Sequence, residues 1–318
     1  MFRNVSQLQS RAILGGMLAV AAARGEASVS ETDRASVAAA YRYLLRGAGA
    51  LDFASLARPR PADLAALLPD RALAAEALHL MTVMAFVDGS LDGDKIAIVL
   101  AYAAALGIRE QYLTEIAEAA RGRVHEALLD MSRRNLQSIT GKPALSGDAM
   151  AWFLPYRGAG ADPALTARYD ALQRLPKGSF GRAYWEHYRA NGYALPGEET
   201  ALNEAFATPH DSAHVISGYD TSARGEILVS TFTAGMHRKY PMAGHILPVI
   251  FSRHLGIKIN DVAGAASGAL DPEEFWHAWA RGEAITIDLF APGWEFWACA
   301  EAGVDALRRR YGVTPLSA

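Results

Sequence analysis

The chain has 318 residues, 51% of them hydrophobic, and carries a net charge of −3 with an isoelectric point near 6.3. That length allows two domains with full-sized cores, and the acidic balance argues against bulk nucleic-acid binding, which needs a basic face. Cys299 is the only cysteine, which excludes an intrachain disulfide and a zinc ribbon and suits a reducing compartment.

The longest uncharged apolar runs, 12–23 and 96–108, fall short of the ~18 residues that a membrane-spanning helix needs. The first run follows Arg3 and Arg11, a flank also found in signal peptides. It fits a repeat, however, and is read as a buried helix. Helices at 14–23 and 31–45 flank a polar turn at 24–30, with Val37, Tyr41 and Leu44 on one face. The order recurs as helices at 72–87 and 95–106 around Asp88-Gly89-Ser90-Leu91-Asp92-Gly93-Asp94. Two such helical hairpins can close a small bundle. The second turn has the first residues of a calcium loop, but its twelfth position is Val99 instead of a bidentate Glu. Its acids are read as caps for the following helix. Met84 to Asp92, with the run 101–108 closing in Leu106-Gly107-Ile108, resembles the TerB-type (tellurite-resistance-like) helical domain over about residues 10–135. The resemblance implies an accessory, interaction-mediating role for this half.

Glycine and proline then punctuate Gly141-Lys142-Pro143-Ala144-Leu145-Ser146-Gly147 and the stretch from Tyr156 to Pro163. The expected organisation is a helical domain at 1–140, a linker at 141–163 and a second helical domain at 164–318. The second domain opens on Leu175-Pro176-Lys177-Gly178-Ser179-Phe180-Gly181-Arg182-Ala183-Tyr184, whose glycine-rich loop could offer backbone N–H groups to an anion. A helix at 181–191 follows.

The most informative stretch is Pro209-His210-Asp211-Ser212-Ala213-His214, with eleven residues between His214 and Glu226. On a helix, His210 and His214 share a face, and Asp211 lies close to it. A second helix, at 226–235, returning from the turn at 217–222 could aim Glu226 at them. Two imidazoles and one or two carboxylates form a mixed N/O set for a divalent ion. A simpler reading makes Thr208 the N-cap and Pro209 the first helical residue, which explains Asp211 but not the two histidines.

Next comes the basic cluster His237-Arg238-Lys239, either a helix C-terminal cap or an anchor for a carboxylate, phosphate or lipid head group. Helical runs at 246–255 and 275–282 follow. Four of the six tryptophans fall within 276–297, for core packing or for contact with a membrane or long apolar ligand. Ile285-Thr286-Ile287-Asp288-Leu289 is the only strand-like run, so the expected fold class is all-α.

Three segments in this half resemble the Coq-four family of ubiquinone (coenzyme Q) biosynthesis proteins over about 165–315: the run from Leu175 to Tyr184 with Asn191-Gly192; the His210-Asp211-x-x-His214 and Glu226 motif, with Gly218-Tyr219-Asp220-Thr221; and a closing pattern of Trp279-Ala280-Arg281-Gly282-Glu283-Ala284, Trp294-Glu295, Ala306-Leu307-Arg308 and Tyr311-Gly312-Val313. Pro209 and the basic character of 232–241 depart from that pattern. The resemblance implies a mostly helical fold and one divalent ion, zinc in the usual description, at His210, Asp211, His214 and Glu226, with iron or another ion open. It also implies a polyprenylated aromatic quinone precursor as ligand, association with other quinone-biosynthesis proteins, and oxidative decarboxylation that replaces a ring carboxylate by hydroxyl. The alternative is a prenyl-lipid-binding scaffold that organises other enzymes. Either implies peripheral attachment to the inner face of a membrane from the cytoplasm, and a homo-oligomer is open.

Overall fold

The computed structural model describes residues 2, 5–141, 148–258 and 264–316. The fold is all-α, and no strand forms among the described residues. In chain order the helices are α1 (Gln7–Ala21), α2 (Glu31–Tyr43), α3 (Pro61–Leu67), α4 (Arg71–Met84), α5 (Gly93–Ala105), α6 (Gln111–Ala120), α7 (Val124–Thr140), α8 (Asp148–Phe153), α9 (Pro163–Asp170), α10 (Phe180–Asn191), α11 (Glu204–Ser217), α12 (Ala223–Met236), the short α13 (Leu247–Val249), α14 (Pro272–Ala284), α15 (Phe296–Cys299) and α16 (Val304–Tyr311). Wider π turns, Pro241–Ile246 and Ile250–His254, flank α13. The strand-like run at 285–289 stays irregular, with Thr286 N–H donating to the Tyr311 carbonyl.

Two compact units result, one from Met1–Met131 with Ile246–Ala280, the other from Ser132–His245 with Arg281–Ala318. They are not the consecutive domains read from the sequence: 246–280 folds with the N-terminal helices. Ile246, Leu247, Ile250 and Phe251 are all fully buried, so the segment needs a core on every side. The first unit supplies it. The Phe251 ring packs 5.5 Å from Phe86, and Trp276 Nε1 donates to Ser36 Oγ at 2.9 Å. Trp276 and Trp279 are 0% exposed, so their indoles are core and offer no membrane face. The expected linker at 141–163 is partly helical, holding α8 and a 3-10 turn at Gly158–Gly160, while its 142–147 portion lies outside the described residues.

In the first unit the two expected hairpins form as α1–α2 and α4–α5. Ser6 and Gln9 make a capping box on α1, Ser30 and Asp33 on α2. Gly16 lets α1 approach α4 closely, since a Cβ there would stand 2.5 Å from Met81 Cε. The acidic turn acts as a cap: Asp92 accepts from the backbone N–H of Asp94 at 2.8 Å and of Lys95 at 3.5 Å. No described helix is long and apolar enough to cross a membrane.

Candidate metal centre

The centre lies in the second unit on three helices. The start of α10 is pinned by backbone: Phe180 N–H donates to the Ala302 carbonyl at 2.7 Å and Gly181 N–H to Ala300 at 2.8 Å. Those donors are therefore committed, and the glycine-rich loop is not the anion cradle that the sequence allows. A Cβ on Gly181 would meet Leu175 at 2.8 Å and Leu172 at 2.9 Å, which explains glycine there.

The helix α11 begins five residues before Pro209, with Asn203 as N-cap accepting from Ala205 N–H at 2.9 Å. Thr208 is thus not the cap, and Pro209 neither starts the helix nor breaks it. Proline deprives the Ala205 carbonyl of its usual donor, yet the turns on both sides stay helical. Gly218, at φ +84°, closes α11 in the left-handed conformation. Ser222 then caps α12 by accepting from Gly225 N–H at 3.1 Å. This tight reversal sets Glu226, in the first turn of α12, opposite the last turns of α11. Gly225 cannot carry a side chain, because its Cβ would collide with the carbonyl and carboxylate of Asp220.

Two arginines, Arg281 buried and Arg308 partly exposed, complete the far end of α11. Arg281, 3% exposed, donates to the carbonyls of Ser217 at 2.9 Å and Thr314 at 2.6 Å. Arg308 donates to Ile216 and Val215 at 3.0 Å each. Cations on the otherwise unmet C-terminal carbonyls suit both hydrogen bonding and the helix dipole.

Three of the four sequence-chosen ligands form one cluster, and the fourth, Glu226, approaches its two histidines. Donor atoms of His210, Asp211 and His214 lie within 4.8 Å of one another. Glu226 approaches with both oxygens, Oε2 at 3.6 Å from His210 Nε2 and Oε1 at 3.6 Å from His214 Nε2. These separations are too long for hydrogen bonds. They match ligand atoms around one small ion: bonds of ~2.0–2.2 Å in tetrahedral array leave neighbouring ligands ~3.4 Å apart. His214 Nδ1 lies 3.0 Å from the Tyr219 carbonyl, so it carries the proton and leaves the Nε2 lone pair to coordinate. That Nε2 is buried and has no hydrogen-bond partner in the structure. Phe206 stacks on His210 at 5.2 Å and fixes its ring. The residues therefore fit a divalent ion.

Electrostatics favour the ligand forms of His214 and Asp211. Burial pushes His214 down, and the neighbouring His210 pushes it further, favouring the neutral ligand form. Burial also works against charge on Asp211, but the nearby His187, His210 and His214 outweigh it and hold the carboxyl below its ordinary value. For His210, burial lowers the pKa but Glu226 more than restores it, so the net shift is upward.

Three residues near the centre escaped the sequence reading. His187 on α10 stacks on His214 at 5.2 Å, with Nε2 at 3.7 Å from Asp211 Oδ1. Tyr188 donates to Asp211 Oδ2 at 2.5 Å. His245 is buried, its Nε2 has no hydrogen-bond partner, and burial, with His237 and His210, pushes it down to about 3. The only available signal was that His187 and Tyr188 lie one turn beyond Tyr184, a motif residue; nothing in the chain says that α10 packs beside α11.

The basic cluster is divided. His237 is 1% exposed and bound on both ring nitrogens, to Asp288 at 2.9 Å and the Ser138 carbonyl at 3.0 Å. It is the C-cap of α12, as one sequence reading expected, and is not available to a lipid head group. Arg238 and Lys239 are exposed.

No protein-family model, curated protein or solved structure matches this chain.

Proposed function

We propose that the protein is a metal-dependent enzyme acting on a carboxylated, prenylated aromatic ring. The observation that carries the metal reading is the paired 3.6 Å approach of Glu226 to His210 and His214 around a His214 Nε2 with no partner. The substrate class rests on the likeness of residues 165–315 to the Coq-four family. The proposed ligands are His210, Asp211, His214 and Glu226, with zinc the first choice and iron or another divalent ion the alternatives. An ion there would supply Lewis-acid polarisation of the ring carboxylate or an adjacent phenolic oxygen.

The chain's own residues supply the rest. Tyr219 and Phe206 set the imidazole planes, Tyr188 sets Asp211, and the α11–α12 reversal sets Glu226. The reaction class is loss of the ring carboxylate as carbon dioxide with a hydroxyl from water in its place, the two electrons passing to dioxygen, which is reduced to hydrogen peroxide. A prenyl chain is insoluble in water, so the proposal includes peripheral contact with a bilayer.

The test starts from untagged protein, with metal content measured beside His210→Ala and Glu226→Ala. The expected result is about one ion per wild-type chain and little in either variant; equal content in all three removes the metal centre. Incubation of the metal-loaded protein with a carboxylated prenyl-phenol then decides the chemistry. Release of carbon dioxide is expected, and retention of intact ligand without turnover assigns a binding role instead.

A further inference from the structure

Buried hydroxyls stand against both the half-buried Glu204 and Asp211. Tyr169 OH lies 2.7 Å from Glu204 Oε1 and 2.6 Å from Thr208 Oγ1. Tyr184 donates to Tyr188 at 2.9 Å, and Tyr188 donates to Asp211 Oδ2 at 2.5 Å. The members come from α9, α10 and α11, and the three tyrosines and Thr208 are at most 5% exposed.

The order of donation matters. A phenol has one hydrogen to give. The Tyr188 oxygen already accepts from Tyr184, so its hydrogen is committed to Asp211. The Tyr184 and Tyr188 rings stack at 4.8 Å, which restricts rotation. Burial raises both phenols well above their ordinary value, so they remain donors through neutral pH. One lone pair of Asp211 Oδ2 is therefore taken, while Oδ1 lies 3.7 Å from Nε2 of His187, the imidazole that stacks on His214. A carboxylate with two open oxygens can chelate and suits large ions with six to eight oxygen ligands. One restricted to a single oxygen beside two imidazoles suits a small four-coordinate ion.

We propose that Tyr188, backed by Tyr184, is a positioning residue that restricts Asp211 to one-oxygen ligation and so sets the coordination number of the centre. The inference rests on the proposed metal centre and goes beyond it. Outer partners of this kind typically change metal affinity ~10–100-fold when removed.

The experiment uses the full chain stripped of metal, titrated with zinc against a chelating indicator and with cobalt(II) followed by visible absorption. Tyr188→Phe keeps the ring and removes only the donor; thermal unfolding of the apoprotein checks that it folds. Zinc affinity is expected to fall ~10–100-fold, and the intense cobalt bands of a low-coordinate site should weaken as Asp211 gains its second oxygen. A purely structural role would lower the melting temperature and leave the cobalt spectrum of the folded fraction unchanged, which overturns the proposal. If Tyr188→Phe does not fold, Tyr184→Phe carries the test, with a smaller loss in the same direction expected and wild-type affinity and spectrum overturning it. Wild-type protein that takes up neither ion overturns the metal centre itself, a result distinct from failure of the variants.

Discussion

Lys95 shows how much one residue's environment decides. It is 3% exposed, and its ammonium lies 3.1 Å from Asp33 Oδ1 and 2.8 Å from Asp88 Oδ2. Burial works to lower Lys95 and to raise Asp88, but mutual hydrogen bonding and charge outweigh it. The net shifts are upward for Lys95 and downward for Asp88. Removing Lys95 strands Asp33, which is 0% exposed, so Lys95→Ala should destabilise the protein by about 3–5 kcal/mol. Linkage gives the pH window. Asp88, depressed in the fold, contributes stability above its unfolded pKa of about 3.9, lost as pH falls through its folded value. Lys95, raised in the fold, contributes below about 10.4, lost as pH rises through its folded value. Urea denaturation of wild type and variant should therefore show the widest stability gap between about pH 4 and 10. A gap that does not vary with pH would count against the ion pairs. The sequence reading placed the acids of this turn correctly as helix caps, but could not show that Asp88 turns inward to a lysine.

At the scale of elements, the centre depends on the far end of α11. His214 sits in its last turn, and the Tyr219 carbonyl that orients its ring lies just past the cap. Arg281 holds that end through Ser217, and its guanidinium lies 5.0 Å over the Tyr219 ring. Arg281→Ala leaves buried carbonyls without their charged donor, at a cost of about 1.5–3 kcal/mol. Its melting temperature should drop, and bound metal should be lost to a chelator sooner than from wild type. Arg308→Ala, whose side chain is 34% exposed, should do less of both. Equal effects would mean that burial is not what matters. The Trp279 to Ala284 and Ala306 to Arg308 patterns thus gain a physical role that spacing alone did not reveal: they supply cations to a helix terminus more than sixty residues away in sequence for Arg281 and more than ninety for Arg308.

For the whole molecule, the proposed prenylated ligand calls for contact with a membrane surface. The tryptophans of α14 are core and His237 is internal, which leaves Arg238 and Lys239 beside Tyr240, 46% exposed, as the cationic aromatic edge. Each cation near an anionic surface contributes about 1 kcal/mol. Wild type should float with anionic vesicles at low salt and less so at high salt, and the pair Arg238→Glu, Lys239→Glu should weaken it. Wild type that never floats, even at low salt, would move the proposed membrane contact to a partner protein.

The sequence by itself determined the all-α class and the positions of α2, α4, α5, α10 and α12 to within a few residues, and it proposed the four-residue ligand set, because helical periodicity, caps and i, i+4 spacing are local properties. It misplaced the start of α11, since Pro209 is a helix breaker by local rules and the packing of the surrounding turns overrides it. Only the tertiary structure decided that 246–280 joins the first unit, that Trp276, Trp279 and His237 are buried, and that Tyr188 and His187 stand against Asp211. Those outcomes depend on which faces meet across long stretches of chain. Side chains such as tryptophan, histidine and tyrosine are equally at home in a core, at a surface or beside a ligand until the fold supplies their neighbours.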